Sequence, residues 1–595
     1  FPTRRSSDLF SKKIQLTGIF LFFISSWSLA QIPPLLESSI SHIRSTELTQ
    51  KFLTPTRIVW KSDNTETMVI NAESILNPGV GQADLNQGKY LVLENDKELK
   101  SGLIIDFGIQ IQGGIEIVTT INNNNPPGNI RLRFGESVGE TMSEVGYDGA
   151  TNDHAMRDFK LQLPWLGRTC IGETGFRFVR IDLLDPETKI EIKEISAVFR
   201  YRDIPYRGSF SCDDEKLNKI WMTGAYTVHL NMQDYLWDGI KRDRLVWVGD
   251  MHPEVMTINS VFGYNKVVPK SLDLARDLTP LPNWMNGISS YSMWWLLIHQ
   301  NWYHYHGNMN YLEEQREYII GLLNLLYTKI DEIGKENLDG VRFLDWPSSE
   351  NQDAVHAGLQ SLMIMTFDAG VELCEILGEF DTMKLCKKAV GKLKKYVPHM
   401  SDSKQAAALL SISGLLEPEI ANQEILSKNG VHKMSTFYGY YMLEARAKAG
   451  DYQGAIDNIR EYWGSMLDLG ATTFWEDFDI DWIKNGARID EVVPEEKIDI
   501  HKTYGNYCYE QFRHSLCHGW ASGPTSWLTQ HVLGVSILEP GSKKVLIKPN
   551  LGDLNWVKGT FPTPFGIIEI EHRKTDNGVI SKYNAPEEVK VVLVN

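Results

Sequence analysis

DDEKLNKIWMTGAYTVHLNMQDYLW, residues Asp213 to Trp237, is where the chain changes period. Its apolar residues fall three and four apart, the spacing of one helix face, and Asp213 is placed to cap the helix N-terminus. Similar amphipathic stretches follow at roughly 290–307, 311–333, 353–378, 380–396, 403–413, 417–428, 432–449, 451–465 and 520–533. About a dozen helices in some 320 residues suit an α/α toroid or a solenoid. No fixed repeat of 34 or 40 residues runs through them, which counts against the solenoid. Outward from this region the period is two. LIIDFGIQI (Leu103 to Ile111), IEIVTTI (Ile115 to Ile121), IRLRFGES (Ile130 to Ser137) and FRFVRIDLL (Phe176 to Leu184) alternate apolar and polar residues, with turn clusters such as NNNNPPGN (Asn122 to Asn129) between them. KKVLIKPN (Lys543 to Asn550), GIIEIEHRK (Gly566 to Lys574) and VKVVLVN (Val589 to Asn595) repeat the pattern at the other end. The expected order is a β-sandwich region, a helical core and a second β-sandwich.

The 595 residues exceed what one core usually supports. Hydrophobic residues at 42% and charged residues at 23% describe a folded chain and exclude a mainly disordered one. The net charge of −16 argues against nucleic acid or an anionic membrane as partner. FPTRRSSDL (Phe1 to Leu9) resembles the in-frame translation of a sequencing-adapter oligonucleotide, so residues 1–9 are set aside as an artefact. Residues 10–30 read as a signal peptide: Lys12 and Lys13 precede the apolar run Leu16 to Ala30, and Ser28-Leu29-Ala30 fits the cleavage pattern. Residues 1–30 carry four basic residues and one acid, so without them the balance is about −19. The expectation is a periplasmic or secreted protein with no membrane attachment after cleavage. Six cysteines without a CxxC pair permit one or two disulfides in that compartment. No HExxH, GxxxxGK[ST] or strand-anchored GxGxxG occurs, so neither a metal nor a cofactor is expected.

Seventeen Trp and 23 Tyr are many for this length; Trp gathers with carboxylates in three stretches and with a His in a fourth. WDGIKRDRLVWVGDMHPE (Trp237 to Glu254) sets Asp238, Asp243, Asp250 and Glu254 among Lys241, Arg242, Arg244 and Trp247, and Gly239 with Gly249 make a continuous helix through it improbable. GATTFWEDFDIDW (Gly470 to Trp482) places Glu476 and Asp477 between aromatic residues. FLDWPSSENQDAVHAG (Phe343 to Gly358) adds Asp345, Trp346, Glu350 and His356, with Ser348 or Ser349 placed to cap the next helix. SLCHGWASGP (Ser515 to Pro524) offers His518 and Trp520. Each has a bland reading: charged loops held by Asp–Arg pairs, a core histidine, Trp in the core. Carboxylates across a cleft with indole platforms are nevertheless what glycosidic-bond hydrolysis requires: one protonates the leaving oxygen, and the other activates water or attacks the sugar.

These stretches resemble the family-78 glycoside hydrolases, the α-L-rhamnosidases, most strongly from Phe210 to Leu533. The family's acidic loop reads like DCPQRDERLGWTGDA, and WDGIKRDRLVWVGDM keeps Arg244, Leu245, Trp247, Gly249 and Asp250 in register. GATTFWEDFD resembles its GATTxWERWD, and SLCHGWASGPTSWL its SLNHYAFGAVGEWL. The resemblance implies a multidomain chain: an N-terminal β-sandwich region at 31–209, an (α/α)6 barrel catalytic domain at 210–535 and a C-terminal β-sandwich at 536–595. It implies Asp243 as general acid in place of the family's Glu, and Glu476 as general base. Asp238, one position from the family's first Asp, with Arg244, Trp247, Asp250, Trp346, Glu350, Trp475 and His518, would bind sugar. The family inverts configuration, which places the two carboxyls roughly 6.5–9.5 Å apart. The implied substrate is a rhamnose-containing glycan or glycoside. Asp is one methylene shorter than Glu, and Arg242 and Arg244 would keep Asp243 ionised unless paired elsewhere. Two alternatives follow: an inactive carbohydrate-binding relative, and an (α/α)6 glycosidase for another sugar, such as an unsaturated uronide.

Overall fold

The computed structural model describes residues 45–594 except 64–66, 87, 99, 122–127 and 400. The adapter-like stretch, the signal peptide and most of the Asn-Pro turn cluster lie outside the described residues. Three long strands, Gly102–Thr119, Gly167–Leu183 and Lys189–Arg202, form the centre of a nine-stranded sheet. They pair antiparallel, with Leu103 opposite Ile181 and Ile115 opposite Ala197. Their alternating apolar residues are buried in one cluster with Leu132, Phe134 and Phe176. The register slips at Asp106/Ile111 and Gly113/Ile115, so Gly102–Thr119 pairs with Arg57–Lys61 at one end and Lys189–Arg202 at the other. Gly113 sits at the second slip with φ 149°, and a Cβ there would lie 2.0 Å from the Val198 carbonyl oxygen.

The helix that marks the change of period is Glu215–Asn231. Its cap is Asp214, whose side chain accepts from the Lys216 and Leu217 N–H groups, and not Asp213, which instead accepts from Asn555. Likewise Gln352–Ile376 is capped by Asn351 rather than Ser348 or Ser349. In both cases the residue immediately before the first turn holds the geometry, since only there does a side-chain oxygen reach the N2 and N3 amides. Glu215–Asn231 packs on Met251–Val261, that on Ser289–His306, that on Gln352–Ile376, then Lys404–Ile412, Gly439–Lys448 and Gly523–Trp527, which returns to the first two. The helices therefore close a ring. Met309–Tyr327 and Phe380–Leu393 pack outside it, against Gln352–Ile376. Met251–Val261 and Val267–Leu278 are absent from the helices anticipated above, because Asp250 and Pro253 sit where a charged loop was expected to continue.

Ser209–Cys212 pairs with Trp556–Thr563 in a four-stranded antiparallel sheet, so this sheet takes its edge from residues that precede the helices. A three-stranded sheet joins Val535–Glu539, Lys544–Ile547 and Lys590–Leu593. Glu47–Asn595 packs as one unit. All six cysteines are free, so neither of the permitted disulfides forms. The tryptophans are mostly core: Trp221, Trp294, Trp295, Trp302, Trp463, Trp475 and Trp527 are each under 2% exposed. Their number reflects the filling of a helical ring more than a run of sugar platforms.

Candidate active site

Three of the four stretches singled out above meet in the structure. Backbone hydrogen bonds zip them together: Gly519 N–H to Asp238 O at 2.8 Å, His518 N–H to Phe474 O at 2.9 Å, and Glu476 N–H to Ser515 O at 3.0 Å. Main-chain bonds of this kind fix the side chains between them more tightly than flexible loops could. Asp238 closes its own loop by accepting from the Leu245 N–H at 2.9 Å. Within that loop Asp243 and Arg244 both adopt left-handed backbone, φ 55° and 58°. For non-glycine residues this costs on the order of 1–3 kcal/mol each, and it persists only where neighbours over-determine it.

The neighbours do so. Arg242, buried, donates to Glu476 Oε1 and at 3.0 Å to the Cys508 carbonyl. Arg244 pairs with Glu173 at 3.1 Å and lies 4.7 Å over the Trp237 ring. Both arginines are thus paired elsewhere, the condition under which Asp243 can act, though Arg242 Nε remains 4.0 Å from Asp243 Oδ1. Asp243 Oδ2 accepts the Trp247 indole N–H at 3.1 Å, and its side chain keeps 20% exposure. Glu476 is 3% exposed. Its Oε1 accepts from Arg242 and its Oε2 from the Ser515 N–H at 3.2 Å, so both oxygens are acceptors, as a carboxylate requires. Burial pushes this carboxyl up, and the Arg242 charge works against the shift.

His518 Nε2 is the meeting point. It stands 3.7 Å from Asp238 Oδ2, 3.8 Å from Asp250 Oδ2 and 3.8 Å from Glu476 Oε1. Asp250 also accepts the Tyr291 hydroxyl at 2.7 Å. Burial, reinforced by the neighbouring acids, pushes Asp238 and Asp250 well above the ordinary carboxyl range, while burial pushes the imidazole down. The result is a buried group of oxygens whose protonated forms burial favours. Beside them Glu254 is fully buried and is likewise pushed up by burial. A Cβ on residue 519 would lie 1.4 Å from Glu254 Oε1, so any larger residue there needs the buried Glu254 side chain to move.

Not every anticipated residue joins this group. Trp247 is half-buried and edge-on to Tyr291, and Trp346 stacks on Tyr507 at 5.7 Å. Trp475 presents no open face: at 1% exposure it packs edge-on against Phe478. Trp520 is stacked on Phe437 and donates to the Glu476 carbonyl at 2.9 Å, so it braces the Glu476 backbone and leaves no stacking surface. Arg244 points to Glu173, away from the carboxylates around His518. Glu350 is exposed, and Asp345 is buried as a clasp that accepts from Ser348, Gln405 and Ser435. His356 pairs with Glu336 at 2.5 Å. Among the described residues, the group whose ligand atoms gather closely enough for a metal ion is His432, Asp479 and Asp481; all three are exposed, and Asp481 is held by Lys484 at 2.7 Å.

The N-terminal β region also reaches these loops, which no spacing along the chain anticipates. Gly175 N–H donates to the Ile240 carbonyl at 3.0 Å. Lys241 Nζ lies 3.1 Å from Glu136 and 3.4 Å from Glu140, and donates to the Phe512 and His514 carbonyls. His154 Nε2 lies 3.4 Å from Asp243 Oδ1.

Residues 205–413 match the family model described as the bacterial alpha-L-rhamnosidase 6 hairpin glycosidase domain, and 534–594 that of the bacterial alpha-L-rhamnosidase C-terminal domain. A curated relative, the alpha-L-rhamnosidase of Alteromonas sp. (strain LOR), is 24% identical over 562 residues, covering 86% of this chain and 57% of its own length. Among solved structures, the GH78 family rhamnosidase of Bacillus sp. GL1 superposes with a TM-score of 0.70 at 22% identity, over 88% of this chain and 55% of that one. The rhamnosidase from Klebsiella oxytoca with rhamnose bound gives 0.64 at 18% identity, over 81% of this chain and 96% of that one. The chain spans little more than half the length of the curated relative it matches.

Proposed function

Because residues 205–413 belong to the bacterial α-L-rhamnosidase six-hairpin glycosidase domains and 534–594 to the matching C-terminal domains, we propose that this protein is an exo-acting α-L-rhamnosidase that works by inversion. The observation that carries the reading is the pairing of an all-acceptor Glu476 with a more open Asp243 on either side of buried Arg242. Asp243 protonates the glycosidic oxygen as its bond to the anomeric carbon breaks. Glu476 takes a proton from the water that attacks the opposite face. Asp238, Asp250 and His518 hold the hydroxyls of the terminal rhamnose, and the half-buried Trp247 and Trp346 supply apolar ring faces. The closed ring of helices supports an (α/α)6 barrel, with the β regions at 31–209 and 536–595 as sandwiches beside it. The signal-like residues 10–30 support export to the periplasm or medium, and among the described residues no helix is long and apolar enough to cross a membrane.

One observation favours the second reading, a sugar-binding protein without turnover. Asp243 Oδ2 is already occupied by the Trp247 N–H, and its side chain is one methylene shorter than Glu. Hydrolysis of 4-nitrophenyl α-L-rhamnoside, followed by NMR of the anomer first released, separates the two. The β-anomer appearing first supports inversion. Rhamnose binding without release of nitrophenol would replace the enzyme reading with the binding one.

A further inference from the structure

Where the strand Gly102–Thr119 slips for the second time, its partner Gly167–Leu183 carries one residue too many. Gly113 faces Thr174 and Ile115 faces Ile171, so Gly172 and Glu173 together stand opposite Gly114. This is a β-bulge, which breaks the ladder locally and re-aims the residues in it. Glycines on both strands build it. Gly172 adopts φ 95°, and a Cβ there would lie 2.7 Å from the Phe134 ring. A Cβ on Gly114 would lie 2.3 Å from the Gly172 carbonyl oxygen. Glu173, in the bulge, meets Arg244 of the loop that carries Asp243. One guanidinium nitrogen of Arg244 donates to the Glu173 carbonyl and another to its Oε1, both at 3.1 Å, a rigid fork on one residue. Arg200, from the strand Lys189–Arg202, lies 2.9 Å from the same Oε1 and fixes the carboxylate. The Arg244 guanidinium also lies 4.7 Å over the Trp237 ring, at the start of its own loop. Asp238 and Leu245 tie that loop at its base, through Asp238 N–H to the Leu245 carbonyl at 3.1 Å and Leu245 N–H to Asp238 Oδ1 at 2.9 Å. Asp243 and Arg244 are the two left-handed residues inside the closure. An anchor on the Arg244 side chain therefore fixes the backbone turn from which the Asp243 carboxyl projects. Ile240 and Lys241 are tied to the β region ahead of Asp243, by Gly175 and Glu136, and Arg244 supplies the hold that follows it.

We propose that Glu173, presented by this bulge, is a positioning residue for the general acid and acts through Arg244. The proposal rests on Asp243 being the acid of the preceding reading. The role is geometric and moves no proton. Hydrogen-bond reach to the glycosidic oxygen comes before acidity in a general acid, and Asp243 has one methylene less than Glu with which to find it. A misplacement of about 1 Å in such a group costs on the order of 100-fold in rate. Arg244 thereby joins its loop to the β region and is not a sugar contact. The N-terminal β region contributes to the chemistry through the place it gives Asp243.

The test compares kcat/KM on methyl α-L-rhamnoside, whose leaving group needs protonation, with 2,4-dinitrophenyl α-L-rhamnoside, whose leaving group does not. Asp243→Asn is the reference and is expected to lose far more on the methyl glycoside, as removal of a general acid worth about 100- to 10,000-fold requires. Glu173→Ala and Arg244→Met are each expected to lose at least about 10-fold more on the methyl than on the dinitrophenyl substrate, a share of what misplacing the acid costs. Asp243→Asn combined with Arg244→Met should then show no larger split than Asp243→Asn alone, because both changes act on one group. Glu173→Gln, which keeps an acceptor oxygen for Arg244, should recover most of the difference. Rhamnose affinity measured by calorimetry should stay near that of the parent in all of them. Equal losses on both substrates, or none, would overturn the proposal while Asp243→Asn keeps its split. A split in Arg244→Met without one in Glu173→Ala would overturn it too, since the Glu173 side chain would then have no part. So would a fall in rhamnose affinity large enough to account for the kinetic loss, which would make Arg244 a sugar contact. If Asp243→Asn itself shows no split, it is the general-acid reading that has failed, and the proposal falls with it.

Discussion

Glu476 and Asp243 differ in what surrounds them more than in their chemistry. Glu476 is sealed in with a cation and a backbone N–H on its two oxygens, while Asp243 keeps an open edge and an indole donor. Glu476→Gln and Asp243→Asn are each expected to lower hydrolysis of unactivated rhamnosides by about 100-fold or more, with rhamnose binding retained, which calorimetry beside steady-state kinetics checks. If Glu476 is the base, as proposed, Arg242 sets its working range. Replacing it with Met removes the charge that opposes the upward push of burial on Glu476. The carboxyl then stays protonated to higher pH, so the acid limb of the kcat profile should move to higher pH. An unchanged limb would show that Glu476 is not the group titrating there. At this scale Asp238, Asp243, Asp250 and Glu476 stood out in the sequence as carboxylates beside Trp and Arg outside any helical period, but Asp345 and Glu350, picked out beside a Trp in the same way, lie apart from them. Tyr291 and His154 did not stand out, since a Tyr in the first turn of a helix and a His in a polar segment look like any others.

Elements were legible wherever one period ran for several turns. Ser289–His306, Gln352–Ile376 and Phe380–Leu393 lie within a few residues of the expected stretches, and so do the strands Lys544–Ile547 and Gly566–Thr575. Met251–Val261 was not anticipated: every residue in it is buried, so no polar face marks its period. The three loops that carry the site have no period of their own and take their form from backbone bonds between segments 39 to 281 residues apart in the chain. Gly519 is the tightest of these contacts. Gly519→Ala would drive a methyl group into Glu254 Oε1 and separate the 515–519 stretch from Asp238. A fall of about 2 kcal/mol or more in unfolding free energy is expected, together with loss of rhamnose binding. A binding curve unchanged from the parent would show that the stretch can shift without cost.

Across the whole molecule, the β region and the helical ring share a buried charge group. Lys241 sits between Glu136 and Glu140, and burial has pushed Glu136 up to about 7. Lys241→Met would leave two buried acids without their nearest cation and should destabilise the protein by roughly 3–5 kcal/mol, read from denaturant unfolding at neutral pH. Asp477 gives a pH dependence of definite sign. Burial raises it from 3.8 to about 7 in the folded state, so its contribution to stability is fully present below about pH 3.8 and is lost as pH rises through about 7. Asp477→Asn, which keeps the shape of the neutral acid, should melt higher than the parent at pH 8 and show no such advantage at pH 4. Melting curves at the two pH values check this directly.

By itself the sequence determined the order of β, helical and β segments, the loops in which carboxylates gather, and the family resemblance. Those depend on residue type and short-range spacing, which are local properties. Tertiary structure alone decided that seven tryptophans fill the core, that Asp214 and Asn351 make the caps, and that Arg242 and Arg244 turn away from Asp243 to other acids. It also decided that His154, some 90 residues earlier in the chain, faces the candidate acid. Burial and charge pairing are set by which distant segments close over a side chain, and no spacing along the chain encodes that.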